Sequence, residues 1–293
     1  AAQAGEPLES DPVFTDTLAA LLADTTLEPA FVAEAARLPS EALLAVEMPV
    51  VDVAAIHTAR EHARRHLGQA LGATWREIWA REQDATASRA YAYNATDAGH
   101  RALKNVALAY LSAAGDTALA WQQMQSADNM TDELSPLSLL TDVDCAERSA
   151  ALARFLDRWQ GDPLVMNAWF SVQAMSSRPT TIADVRALAS HPAFDESNPN
   201  KIRALYGAFA QNPLYFHAAD GSGYELVAER VISVDKGNPI LAGRLARYFN
   251  AWRRQDSDRQ ARCEVILRRI LGTEGLSRNT FEIVSKTLGD SAE

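Results

Sequence analysis

The sequence predicts an all-α fold, a curved superhelix of stacked antiparallel helix pairs of the HEAT or armadillo kind. Three observations carry this expectation. Apolar residues recur at helical spacing along most of the 293 residues. Alternating strand patterns bounded by turn signals are scarce. Successive helical stretches are joined by short polar turns, the connection that places neighbouring helices antiparallel.

In chain order, the periodicity predicts helices over Phe14 to Leu22, Pro29 to Leu38 and Ser40 to Val46. One long helix is then expected from Val53 to Glu82, with Ile56, Ala63, Leu67, Leu71, Trp75, Ile78 and Trp79 on a drifting apolar stripe. Further helices are predicted over Asp97 to Ser112, Asp116 to Ser126, Thr131 to Thr141, Ala146 to Trp159, Pro163 to Ala174, Thr181 to Ala189 and Pro199 to Ala210. Three or four more complete the array, one of them from Pro239 to Trp252. Asp162-Pro163, Asn198-Pro199 and Asn238-Pro239 each pair a capping side chain with proline at the first helical position, where its missing N–H costs nothing. Ser222 and Glu225 stand at capping-box spacing, which accounts for the DGSGYE string without a phosphate. No strict repeat is visible, and the whole of residues 1–293 is expected to form one elongated domain.

Composition limits the possible partners. Hydrophobic residues make up 47% of the chain, enough to build a core. With 28 basic against 38 acidic side chains the net charge is -10, which argues against a broad nucleic-acid or anionic-membrane footprint. No apolar run reaches the ~18 residues needed to span a bilayer, and the acidic N-terminus AAQAGEPLESD lacks the basic start of a signal peptide. Cys145 and Cys263, the only cysteines, are too few for a disulfide framework or a thiolate metal site. These features point to a cytoplasmic protein with reduced thiols.

No catalytic constellation emerges. The nearest approach to a metallopeptidase motif is His62-Ala63-Arg64-Arg65-His66, with two imidazoles one turn apart. Alanine occupies the position of the general base, and two arginines oppose a cation, so a solvated helix face is expected and no metal. A G-x-S-x-G turn is absent. His100, His191 and His217 read as structural hydrogen-bonding groups. Tyr206, Phe209, Tyr215 and Phe216, like Tyr248, Phe249 and Trp252, repeat at helical spacing and read as core. On the Pro239 to Trp252 helix, Arg244 lies closer to the apolar stripe than Arg247, Arg253 or Arg254.

The segment His191 to Glu225, HPAFDESNPNKIRALYGAFAQNPLYFHAADGSGYE, resembles the C-terminal domain of bacterial aminopeptidase N, a zinc metallopeptidase. Similar strings follow in family order: LPSEALLAVEMPVVD at Leu38 to Asp52, NMTDELSPLS at Asn129 to Ser138 and DRWQGDPLVMNAWFSVQA at Asp157 to Ala174. The resemblance covers nearly the whole chain. It implies a non-catalytic domain that closes over a catalytic domain of the same parent chain and gates the access of peptides. It also implies two substrate-binding arginines, Arg203 within NPNKIRALYGAF and Arg244 within NPILAGRLARYF. On the helical wheel Arg203 is not singled out, so its role rests on the resemblance. No cofactor is expected in this chain, the zinc belonging to the catalytic domain, which has no counterpart here. The implied partners are that domain and peptide substrates. A free-standing helical-repeat scaffold that binds proteins is the alternative.

Overall fold

The structure, a computed structural model, describes residues 1–87 and 91–289. No β-strand occurs among the described residues. The helices are α1 (Pro12–Ala23), α2 (Pro29–Ala35), α3 (Glu41–Val46), α4 (Val53–Ala70), α5 (Gly72–Ala87), α6 (Ala95–Ala113), α7 (Thr117–Ser126), α8 (Met130–Thr141) and α9 (Ala146–Trp159). They continue as α10 (Pro163–Ala174), α11 (Thr181–Leu188), α12 (Pro199–Ile202), α13 (Pro213–Phe216), α14 (Ser222–Asp235), α15 (Pro239–Ala246), α16 (Ser257–Leu271) and α17 (Arg278–Leu288). Two compact units divide them, one of residues 1–41 and 55–154, the other of residues 42–54 and 155–293.

The expected helix starts form for the expected reason. Asp162 accepts hydrogen bonds from the amides of Leu164 (2.9 Å) and Val165 (3.1 Å). Asn198 accepts from Asn200 at 2.9 Å and Asn238 from Leu241 at 3.0 Å, each ahead of a proline at the first helical position. The capping box at Ser222 and Glu225 does not form. Asp220 instead accepts from both the amide (2.9 Å) and the hydroxyl (2.6 Å) of Ser222, and Glu225 turns away to pair with Arg269. The glycines of DGSGYE have steric grounds. Gly221 sits at φ +81°, and a Cβ on Gly223 would lie 1.9 Å from the carbonyl oxygen of Tyr215.

The long helix expected from Val53 to Glu82 is two helices, α4 and α5, separated at Leu71. Gly72 begins the second, a residue that stabilises helix interiors poorly. The break lets the Trp75 indole donate to the carbonyl of Leu67 at 3.2 Å. In the first unit Trp75 is fully buried and stacks on Tyr110, with ring centroids 4.5 Å apart and planes 9° from parallel. The Tyr110 hydroxyl donates to Ala36 at 2.6 Å, tying α6 to the end of α2. Around this pair lie Leu18, Leu22, Val32, Leu67, Ile78, Leu103 and Leu111.

Beside that core is a buried polar network centred on Asp132 of NMTDELSPLS. Its carboxylate accepts from Lys104 Nζ at 2.6 Å, Asn105 at 3.0 Å and Asn129 at 3.0 Å, while Asn129 caps α8 through the Asp132 amide. Lys104 also donates to Gln83 at 2.9 Å, and Gln123 links Asn105 (2.7 Å) to the Trp79 indole (2.8 Å). Helices α5, α6, α7 and α8 thus meet through a buried ion pair whose two members make further hydrogen bonds to neighbouring amide side chains.

The second unit is held by an aromatic cluster in which Phe216 packs edge-on against Tyr224 and Phe249, both at 5.3 Å. Tyr206, Phe209, Phe216, Phe249 and Trp252 are core, as their spacing predicts, whereas Tyr215 and Tyr248 are half-buried. The helix expected from Pro199 to Ala210 widens to a π-turn over Arg203–Gly207. The one expected from Pro239 to Trp252 tightens to 3₁₀ geometry over Arg247–Arg254.

Replacing Asp132 by Ala strands the Lys104 ammonium, which is 1% exposed, and is expected to cost about 3–5 kcal/mol of unfolding free energy in urea titration. The paired replacement K104M/D132L is expected to cost much less, because no buried charge is left alone.

Candidate functional site

Arg203 and Arg244 lie in the same unit, Arg203 at the start of the π-turn that follows α12 and Arg244 in α15. Ile202 and Leu241 line one cavity. Further along, a Cβ on Gly207 would stand 3.4 Å from the Tyr248 hydroxyl and 3.7 Å from Cβ of Arg203. Both arginine side chains are exposed. Arg203 donates to Asn200 one turn back, and Arg244 has no ion pair with another described residue. Neither guanidinium is thus in an ion pair with another described residue.

Local geometry explains how they are held. The π-turn begins at Arg203, and such an insertion shifts the residues beyond it relative to a regular helix. Gly207 admits the Tyr248 hydroxyl, and Gln211 donates to the Gly207 carbonyl at 3.0 Å. Next to Arg244, a Cβ on Gly243 would fall 2.5 Å from Asn279 Nδ2 and 2.6 Å from Ile283 Cδ1, so α15 lies close against α17.

Helical-wheel reasoning sets Arg254 further from the apolar stripe than Arg244, and the structure reverses their roles. Arg254 donates to the carbonyls of Ala45 (2.7 Å), Val46 (3.2 Å) and Met48 (2.9 Å), while its own carbonyl accepts from Val51 at 2.7 Å. A 3₁₀ segment turns 120° per residue rather than 100°, so an α-helical wheel misplaces every residue after Arg247. The bonded segment lies more than 200 positions earlier in sequence and keeps Leu43 (59%), Val46 (60%) and Val50 (52%) in solvent. No local pattern in the sequence signals this contact.

The histidines are engaged structurally. His62 and His66 do not form a freely solvated face. Their rings stack 6.5 Å apart and approach Ser10 (3.3 Å) and Thr15 (3.4 Å), so they pack on the start of α1. No three His, Cys, Asp or Glu residues gather to hold a metal among the described residues. His100 bonds the buried Glu82 at 2.5 Å, and the ring nitrogen of His191 accepts from the Ala193 amide at 3.1 Å. Cys263 is buried, which pushes its thiol up to about 12. Burial, and then the nearby Arg259 guanidinium, push His217 down to about 4, and its neutral ring bonds the Tyr224 hydroxyl at 2.7 Å.

Dialysed protein is expected to retain no stoichiometric zinc by metal analysis. One tight zinc lost on replacing His62 or His66 would be the contrary result. A second expectation concerns pH. Because the unfolded His217 takes up a proton near 6.5 and the folded one only near 4, its contribution is complete above 6.5 and declines as pH falls. On the order of 2 kcal/mol should be lost on going from pH 6.5 to about 5. His57 is raised, chiefly by its hydrogen bond to Glu41, and so has the opposite sign. Comparison with His217→Gln in urea titrations isolates the His217 slope.

Residues 1–289 match the family described as a domain of unknown function with ARM repeats, DUF3458_C. Aminopeptidase N of Caulobacter vibrioides is 36% identical over 291 residues, and that of Escherichia coli 35% identical over 291. Each alignment takes in 98% of this chain but 33% of the relative, so the chain spans about a third of the length of these proteins, their C-terminal third. Among solved structures, Legionella pneumophila aminopeptidase A in complex with aspartic acid superposes with a TM-score of 0.87 at 32% identity. That match covers 97% of this chain and 34% of the other.

Proposed function

We propose, from the premise that this chain belongs to the DUF3458_C family of ARM-repeat domains and matches the C-terminal third of aminopeptidase N, that it is the non-catalytic domain of a zinc aminopeptidase. In this reading residues 1–293 act as one domain that caps the active-site cavity of a catalytic domain on the same parent chain. It gates the entry of peptides, from which the parent removes N-terminal residues in the cytoplasm. Zinc is held by the catalytic domain, and no three His, Cys, Asp or Glu residues gather for it among the described residues.

What supports the arginine part of this reading is that Arg203 and Arg244 are both exposed and that neither has an ion pair with another described residue. A guanidinium presents several donors in a rigid fork, suited to the carbonyls or the terminal carboxylate of a peptide beyond the scissile bond. Each charge-assisted contact shielded from water contributes roughly 1.5–3 kcal/mol. The exposed apolar side chains of Leu43, Val46 and Val50, on a backbone fixed by Arg254, offer a firm surface for the catalytic domain to cover.

The test is made in the reassembled parent enzyme. Arg203→Ala or Arg244→Ala is expected to lower kcat/KM for peptides by about tenfold or more, and to leave single-residue amide reporters, which lack the downstream portion, much less affected. Equal losses on both substrates would assign the arginines a structural role.

A further inference from the structure

The second unit contains another arginine in a different state. The Arg230 guanidinium lies over the Tyr206 ring, 4.5 Å from its centroid, and Nη2 donates to the Tyr206 hydroxyl at 2.9 Å. Its side chain is 14% exposed, and its Nε is buried without a hydrogen-bond partner. The acid facing it, Glu196, is 77% exposed and reaches Nη1 only at 3.4 Å. One charge of this pair is therefore held in place, whereas the other is free to move.

Both residues line a cavity of about 490 Å³ between α12, α14 and the start of α15, a size within the ~300–1,000 Å³ usual for small-molecule sites. Ser197, Ser233 and Asn238 add polar groups to its wall, and Ile202, Val234 and Leu241 an apolar patch. A second cavity, of about 380 Å³, shares Glu196, Arg230 and Ser233, but there Arg186 and Glu229 already satisfy each other at 3.0 Å. Both cavities thus present Arg230 and Glu196, and the first sets them beside the aliphatic wall of Ile202, Val234 and Leu241.

The charge arrangement selects the ligand. A simple anion on Arg230 would be repelled by Glu196, and a simple cation on Glu196 would be repelled by Arg230. A molecule with an anionic and a cationic end close together enters between them and satisfies both, exchanging one loose ion pair for two. We propose that this cavity binds a free α-amino acid with a short aliphatic side chain, its carboxylate on Arg230, its ammonium on Glu196 and its side chain against Ile202, Val234 and Leu241. Arg203 and Arg244 are not among the residues that line it, and the proposal does not depend on their role.

The test uses this chain and L-leucine as probe, followed by calorimetry and by amide chemical shifts of Ser197, Ser233 and Asn238. Saturable binding is expected, with shifts at those amides. N-acetyl-L-leucine, which lacks the ammonium, and L-leucine methyl ester, which lacks the carboxylate, should each bind about tenfold more weakly or worse. Glu196→Gln, on an exposed side chain, should weaken leucine by a similar factor while thermal unfolding stays unchanged. Arg230→Gln should do the same, and circular dichroism checks that it folds. No saturable shift with leucine would overturn the proposal. So would N-acetyl-L-leucine binding as tightly as leucine with Glu196→Gln silent, which would mark a plain anion site.

Discussion

An array of short helices must satisfy the amides of every first turn, and in this chain that requirement sets where helices begin. Asp11, Asn94, Asp116, Asn129, Asp162, Asn198, Asn238 and Asp256 each turn a side-chain oxygen onto the amides that follow. Where proline comes next, its fixed φ also favours the helical turn. Arg203 and Arg244 inherit their positions from two such starts, Asn198-Pro199 and Asn238-Pro239. A shift in either start would rotate its arginine by about 100° per residue.

Close helix approach is the second constraint, and glycine provides it. A Cβ at Gly68 would lie 2.2 Å from the carbonyl oxygen of Tyr110, so α4 reaches α6 only because that side chain is missing. Gly223 plays the same part against Tyr215, and Gly243 against Asn279 and Ile283. These residues weaken their own helices slightly and gain contact between helices, a fair exchange where packing supplies most of the stability.

The arginines show how context divides one residue type into several roles. Arg254 is tied to three backbone carbonyls and Arg259 to the carbonyl of His217, so both act as braces. Arg230 is stacked and half-satisfied, while Arg203 and Arg244 remain exposed.

Periodicity by itself established the all-α class, because a 3.6-residue apolar repeat is a property of each segment alone. The Asx-Pro starts were equally legible, since a cap acts within three residues. The strings around Arg203 and Arg244 were legible through resemblance, and composition alone would have left Arg203 unnoticed. The tertiary structure decided the rest. Whether α4 and α5 fuse depends on where Trp75 packs, and whether Ser222 or Asp220 closes the turn depends on how closely Gly223 meets Tyr215. Whether Arg244 or Arg254 is free depends on the switch to 3₁₀ geometry after Arg247 and on a segment some 200 residues away. Such choices are made by contacts between residues remote in sequence, and local patterns do not record those contacts.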